Sequence, residues 1–187
     1  MNNNTRSQPE RGWAPTSAAA VANEFINLGL NEPTVPPVDQ MKLQKLLFYA
    51  QAWYLAHCDR SLFDEDFEAW PWGPVVSDIY AQTYQFGRKP INAKMLTMQE
   101  TDDGSFKFLP PEEPSTELKE FIQTVWASLK HYTGVQLSNS THAEGEPWTI
   151  VKRAYKGDLS HRPSIPNKLI EAVFKKKLKH DSGSTQD

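Results

Sequence analysis

Apolar residues recur at three- and four-residue steps through Leu43, Leu46, Leu47, Ala50 and Trp53, while Lys42, Lys45 and Gln51 fall on the other side. That spacing predicts an amphipathic helix running from Asp39, its candidate N-cap, to about Cys58. Before it, Thr16 or Ser17 can cap a first helix in which Val21, Phe25 and Leu28 share a face, with Gly29 as a left-handed stop. After it, Phe67 to Trp70 reads as a short extended segment, and Pro74 suits the first turn of a helix through Ile79, Tyr80 and Tyr84 to Gly87. Two apolar-alternating runs between Lys94 and Leu109 flank Asp102-Asp103-Gly104, a hairpin signal that places Phe106 and Phe108 on one face. Ser115 precedes a second amphipathic helix with Leu118, Phe121, Ile122, Val125, Leu129 and Tyr132 on its buried side and Gly134 at its end. Short helices near Val135 to Ser140 and from Pro147, then a last one from Asn167 to Lys179, complete a mainly α pattern. The predicted architecture is a single-domain helical bundle over residues 16–180 with a small β-hairpin insertion, between disordered polar tails at 1–15 and 181–187.

Composition narrows the function classes. The chain has 187 residues, 39% apolar, enough for one ordinary core. With 20 basic against 23 acidic residues, its formal charge of -3 provides no global attraction to nucleic acid or anionic membrane. The lone Cys58 permits no intramolecular disulfide, the start MNNNTRSQPERGW has no signal-like character, and no apolar run approaches a membrane span. A cytoplasmic protein with no membrane contact is the expectation.

Three blocks carry the candidate chemistry. They are KLQKLLFYAQAWYL from Lys42, LFDEDFEAWPWGPVVSDIY from Leu62, and THAEGEPW from Thr141. In order and spacing they resemble the Panacea domain family, also described as SocA-like, over roughly Asp39 to Lys179. The resemblance implies a small antitoxin of bacterial or phage origin, within a type II-like toxin-antitoxin system, that neutralises a cognate protein toxin by direct binding. Within such a family the alternatives are an adaptor delivering the toxin to a Clp-type protease and a DNA-binding regulator of its own operon. No enzymatic activity, metal or cofactor is implied. The family's first block falls on Lys42, Leu43, Gln44, Lys45, Tyr49 and Gln51 here, positions that serve either the fold or the partner.

The residues themselves allow two roles for Trp70-Pro71-Trp72-Gly73-Pro74. Two rings, two fixed-φ residues and one permissive residue make a rigid corner that covers a core edge, or an aromatic anchor that loses little entropy when a protein docks. Asp64, Glu65, Asp66 and Glu68 just upstream are a solvated charge run or a negative rim suited to a basic partner. His142, Glu144 and Glu146 lack HExxH spacing and an accompanying His or Cys cluster, so His142 is expected to orient a loop or cap a helix before Trp148. His57 and Cys58, adjacent on a helix, point apart and do not form a nucleophile pair; Cys58 is expected to be semi-buried. No GxSxG, GxGxxG or GxxxxGK[ST] element occurs. The basic run Lys175-Lys176-Lys177-Leu178-Lys179-His180 complements a helix C-terminus or touches operator phosphates. The candidate partner-binding set is therefore Lys42, Gln44, Lys45, Tyr49, Gln51, Trp70, Trp72, Gly73, Pro74, His142, Glu144 and Trp148.

Overall fold

A computed structural model describes residues 15–183. The tails expected to be disordered lie outside the described residues, apart from Pro15 and the helical positions 181–183. Among the described residues the order is α1 (Ala18–Asn31), α2 (Gln40–Cys58), β1 (Phe67–Trp70), β2 (Gly73–Val75), α3 (Ser77–Thr83) with a 3₁₀ turn at Tyr84–Phe86, then β3 (Thr97–Glu100) and β4 (Phe106–Leu109). There follow α4 (Thr116–Leu129), α5 (Gly134–Thr141), α6 (Pro147–Ala154), β5 (Ser164–Ile165) and α7 (Asn167–Gly183). The fold is mainly α with small antiparallel sheets, as the periodicity predicts.

Local chemistry sets most helix starts. Ser17 accepts from the Ala20 N–H, Asp39 from Lys42, Ser115 from Leu118, and Thr133 forms a reciprocal capping box with Gln136. Three expected boundaries move. α1 runs through Gly29 to Asn31, because a β-carbon at Gly29 would stand 2.5 Å from Val38 Cγ2; the glycine permits close packing and does not end the helix. α4 ends at Leu129, leaving Tyr132 half exposed, and Gly134 instead opens α5, where a β-carbon would meet the Lys42 backbone nitrogen at 2.7 Å. Pro74 lies in a strand and the helix begins at Ser77, since Gly73–Val75 pairs antiparallel with β1.

α2 is the axis of the molecule, packed against α7, α5, α1, α4 and β2. Neighbours on all sides bury every residue from Lys42 to Ala56 except the half-buried Trp53, so it is a central helix and not an amphipathic one with a wet face. The Phe48 ring meets Phe67 at 5.4 Å and Phe174 at 6.0 Å, both edge-to-face, joining helix, sheet and the last helix in one core. β1 is the middle strand of the order β2-β1-β5. β5, a two-residue strand unmarked in the sequence pattern, pairs Phe67 with Ile165. The second sheet is the expected hairpin, with Met98 opposite Phe108 and Glu100 opposite Phe106. Cys58 is exposed, contrary to expectation, because the left-handed Asp59 cap ends α2 at the surface.

Candidate functional site

The polar residues of α2 are buried cross-links. Lys42, 0% exposed, donates to the Pro36 and Lys130 carbonyls, both at 2.7 Å. Gln44 accepts from the Val76 N–H at 2.8 Å and donates back to its carbonyl at 3.2 Å, which fixes the segment entering α3. Gln51 accepts from Leu62 and Phe63 N–H groups and donates to the Phe63 carbonyl and Asn167, which pins the connector after α2 to the start of α7. Of the two roles open to Gln44, Lys45 and Gln51, their burial favours the fold over direct partner contact: loop backbone that would otherwise be buried unpaired is satisfied by long polar side chains rising from the helix.

Lys45 reaches the tryptophan corner. Only 1% exposed, its amine donates to the Pro74 carbonyl at 3.0 Å, and burial pulls it down to about 7. Burial likewise lowers Lys42 to about 8 and raises Tyr49 to about 12, with the Glu146 charge adding to the second effect. Gly73, at φ 106°, passes directly over the Lys45 amine: a β-carbon there would stand 2.8 Å from both Lys45 Nζ and Thr141 Oγ1. Glycine is required twice over, for its dihedral and for its lack of volume.

The second and third sequence blocks meet above this lysine. Trp148, on α6, is buried and donates its indole N–H to the Trp70 carbonyl at 2.8 Å. Ser138 of α5 donates to the Trp72 carbonyl at 2.8 Å. These bonds hold the backbone on either side of Pro71 and leave the Trp72 side chain 70% exposed. Trp70 is half-buried, its ring 4.6 Å from Tyr80, with the Arg162 guanidinium 4.1 Å over its face. His142 packs its ring 3.9 Å from the Trp148 ring and occupies the C-cap position of α5 through its backbone N–H. Its side chain makes no capping bond, so ring packing replaces the expected hydrogen-bonded role. Burial, then the Lys45 and Lys152 charges, lower its pKa and favour the neutral ring. Together Trp72, His142, Trp148, Thr149, Lys152 and Arg153 line an open cleft of about 490 Å³.

Glu144 is exposed and accepts from Arg153 Nη2 through both oxygens at 2.8 Å. Glu146 is buried and pairs with Lys177. His142, Glu144 and Glu146 are therefore engaged separately, Glu68 accepts from the Trp70 indole N–H, and no trio of metal-ligating side chains gathers among the described residues. In the acidic run, Glu65 accepts from the Ala18 N–H and so belongs partly to the fold. Sequence reasoning missed Ser138, Lys152 and Arg153; the exposed side of the helix after Pro147 was the available signal.

A family model described as "Antitoxin SocA-like, Panacea domain" matches residues 43–149, more than half of the chain and all of the corner. The chain belongs to this family. The Panacea domain found here is also 27% identical over 139 residues to the Antitoxin SocA of Caulobacter vibrioides strain NA1000 / CB15N, covering 74% of this chain and 73% of that protein. No solved structure matches. No helix among the described residues of this Panacea domain is long and apolar enough to cross a membrane.

Proposed function

We propose that this protein is a non-enzymatic antitoxin that neutralises a cognate protein toxin by binding it directly. The observation that carries the reading is the match to the SocA-like family over 43–149, the span that contains both blocks of the tryptophan corner. The geometry supports a binding role. Trp72 is a large, exposed ring on a turn whose backbone is already fixed by Ser138, Trp148, Gly73 and the amine of Lys45. An anchor mounted this way has little conformational entropy left to lose on docking, and aromatic anchors of this type dominate protein interfaces. Trp72, His142 and Glu144 form the contact surface in this proposal; Lys45, Trp70, Gly73, Pro74 and Trp148 hold it from beneath, while Lys42, Gln44 and Gln51 fix connectors around α2 and Tyr49 packs in the core.

The test is co-expression with the product of the adjacent small gene, scoring growth and then co-purification. Growth rescue with a stoichiometric complex supports direct neutralisation. Rescue in which the toxin disappears only when a Clp-type protease is present replaces it with the adaptor reading. Toxicity without rescue overturns the antitoxin assignment for that pair.

A further inference from the structure

The cleft beside Trp72 has a charge opposite to that of the whole chain. The lysine and arginine that line it are Lys152 and Arg153, no carboxylate is among the lining residues, and Glu144 sits on Arg153, within a molecule whose formal charge is -3. Lys152 stands 4.9 Å over the Trp148 ring and takes part in none of the ion pairs among the described residues. Arg153 already holds a carboxylate, that of Glu144, through Nη2 alone. Guanidinium groups carry five donors, so further carboxylate oxygens can be accepted there. His142 and Thr149 also line the cleft and supply uncharged polar surface to it.

We propose, building on the antitoxin reading, that this cleft takes an acidic segment of the toxin: an apolar side chain seated against Trp72, with carboxylates facing Lys152 and Arg153. Glu144 is then an internal competitor, the chain's own carboxylate on the arginine that the partner's would claim. Charge complementarity selects this occupant over the basic partner suggested by the Asp64–Glu68 run, whose Glu65 and Glu68 are engaged with Ala18 and Trp70. Stacking geometry and the short basic stripe, not charge, select protein over single-stranded nucleic acid. The Trp148 indole is buried and tied to the Trp70 carbonyl, which leaves Trp72 as a lone stacking platform, and backbone-tracking grooves need a longer basic stripe.

Two measurements test it. In the first, the affinity of the full chain for the adjacent-gene product is measured at low and high salt. The Lys152→Glu/Arg153→Glu variant weakens binding at least tenfold and flattens its salt dependence, Glu144→Gln tightens it severalfold, and Lys107→Glu on the hairpin leaves it unchanged. All four side chains are exposed, so melting temperature checks that the fold is intact. Unaltered affinity in the double variant overturns the cleft assignment while the antitoxin reading stands. In the second, which needs no toxin, the indole N–H resonances of Trp72 and Trp148 are followed while acetyl-Glu-Phe-Asp-Glu-amide, acetyl-Lys-Phe-Lys-Lys-amide or a dodecameric thymidine oligonucleotide is added. Shifts with the acidic peptide alone support the proposal; no shift with it, or shifts with the oligonucleotide, overturn the proposal whatever the growth assay shows.

Discussion

Replacing Lys45 with methionine should remove a specific part of the pH dependence of stability. Burial holds the Lys45 amine near 7 in the folded protein, against an ordinary value near 10.5. The folded pKa lies below the unfolded one, so between these values the unfolded chain binds about one more proton. Stability therefore rises with pH through this window: the penalty is fully present below about 7 and relieved above about 10.5. One extra proton corresponds to about 1.4 kcal/mol per pH unit, so from pH 8 to pH 9.5 this group contributes a gain of about 2 kcal/mol. Lys42, lowered to about 8 by burial, adds roughly 1.5 kcal/mol in the same direction. The assay is urea unfolding followed by tryptophan fluorescence at pH 8 and 9.5. Wild type should gain about 3.5 kcal/mol across that interval and Lys45→Met only about 1.5 kcal/mol. The bond lost to the Pro74 carbonyl offsets both pH values equally and leaves the difference unaffected. Equal gains in the two proteins would show that the amine keeps its charge when folded, and would refute the burial argument.

Three further outcomes follow from the same geometry. Gly73→Ala should destabilise the protein by about 2–3 kcal/mol, combining an unfavourable φ with displacement of the Lys45 amine, as read from its urea midpoint. Gln51→Leu strands the Leu62 and Phe63 N–H groups and the Phe63 carbonyl, and should cost about 3 kcal/mol in the same assay; a loss below about 1 kcal/mol would mean the connector finds other partners. Trp72→Ala, at an exposed ring, should change stability by less than about 0.5 kcal/mol yet weaken toxin binding at least tenfold, and an unchanged affinity in calorimetry would remove the anchor role.

The sequence by itself determined the helices and their caps, because capping and periodicity are local: Ser17, Asp39, Ser115 and the Asp-Gly turn at 103–104 each act within a few residues. It also located the corner, since Trp-Pro-Trp-Gly-Pro restricts its own backbone and the three ordered blocks carry the family. Only the tertiary structure decided which way the polar residues of α2 face. Periodicity places Lys42, Lys45 and Gln51 together but does not say what covers them. Here the connectors at Pro36, Leu62–Phe63 and Pro74 fold over the helix with unpaired backbone groups, and the long polar side chains satisfy them. Gly29 and Gly134 follow the same logic, required by neighbours distant in sequence that approach too closely for a β-carbon. The cleft is likewise a product of packing, because Trp72 and Lys152 lie on separate segments that the Trp148–Trp70 bond brings together.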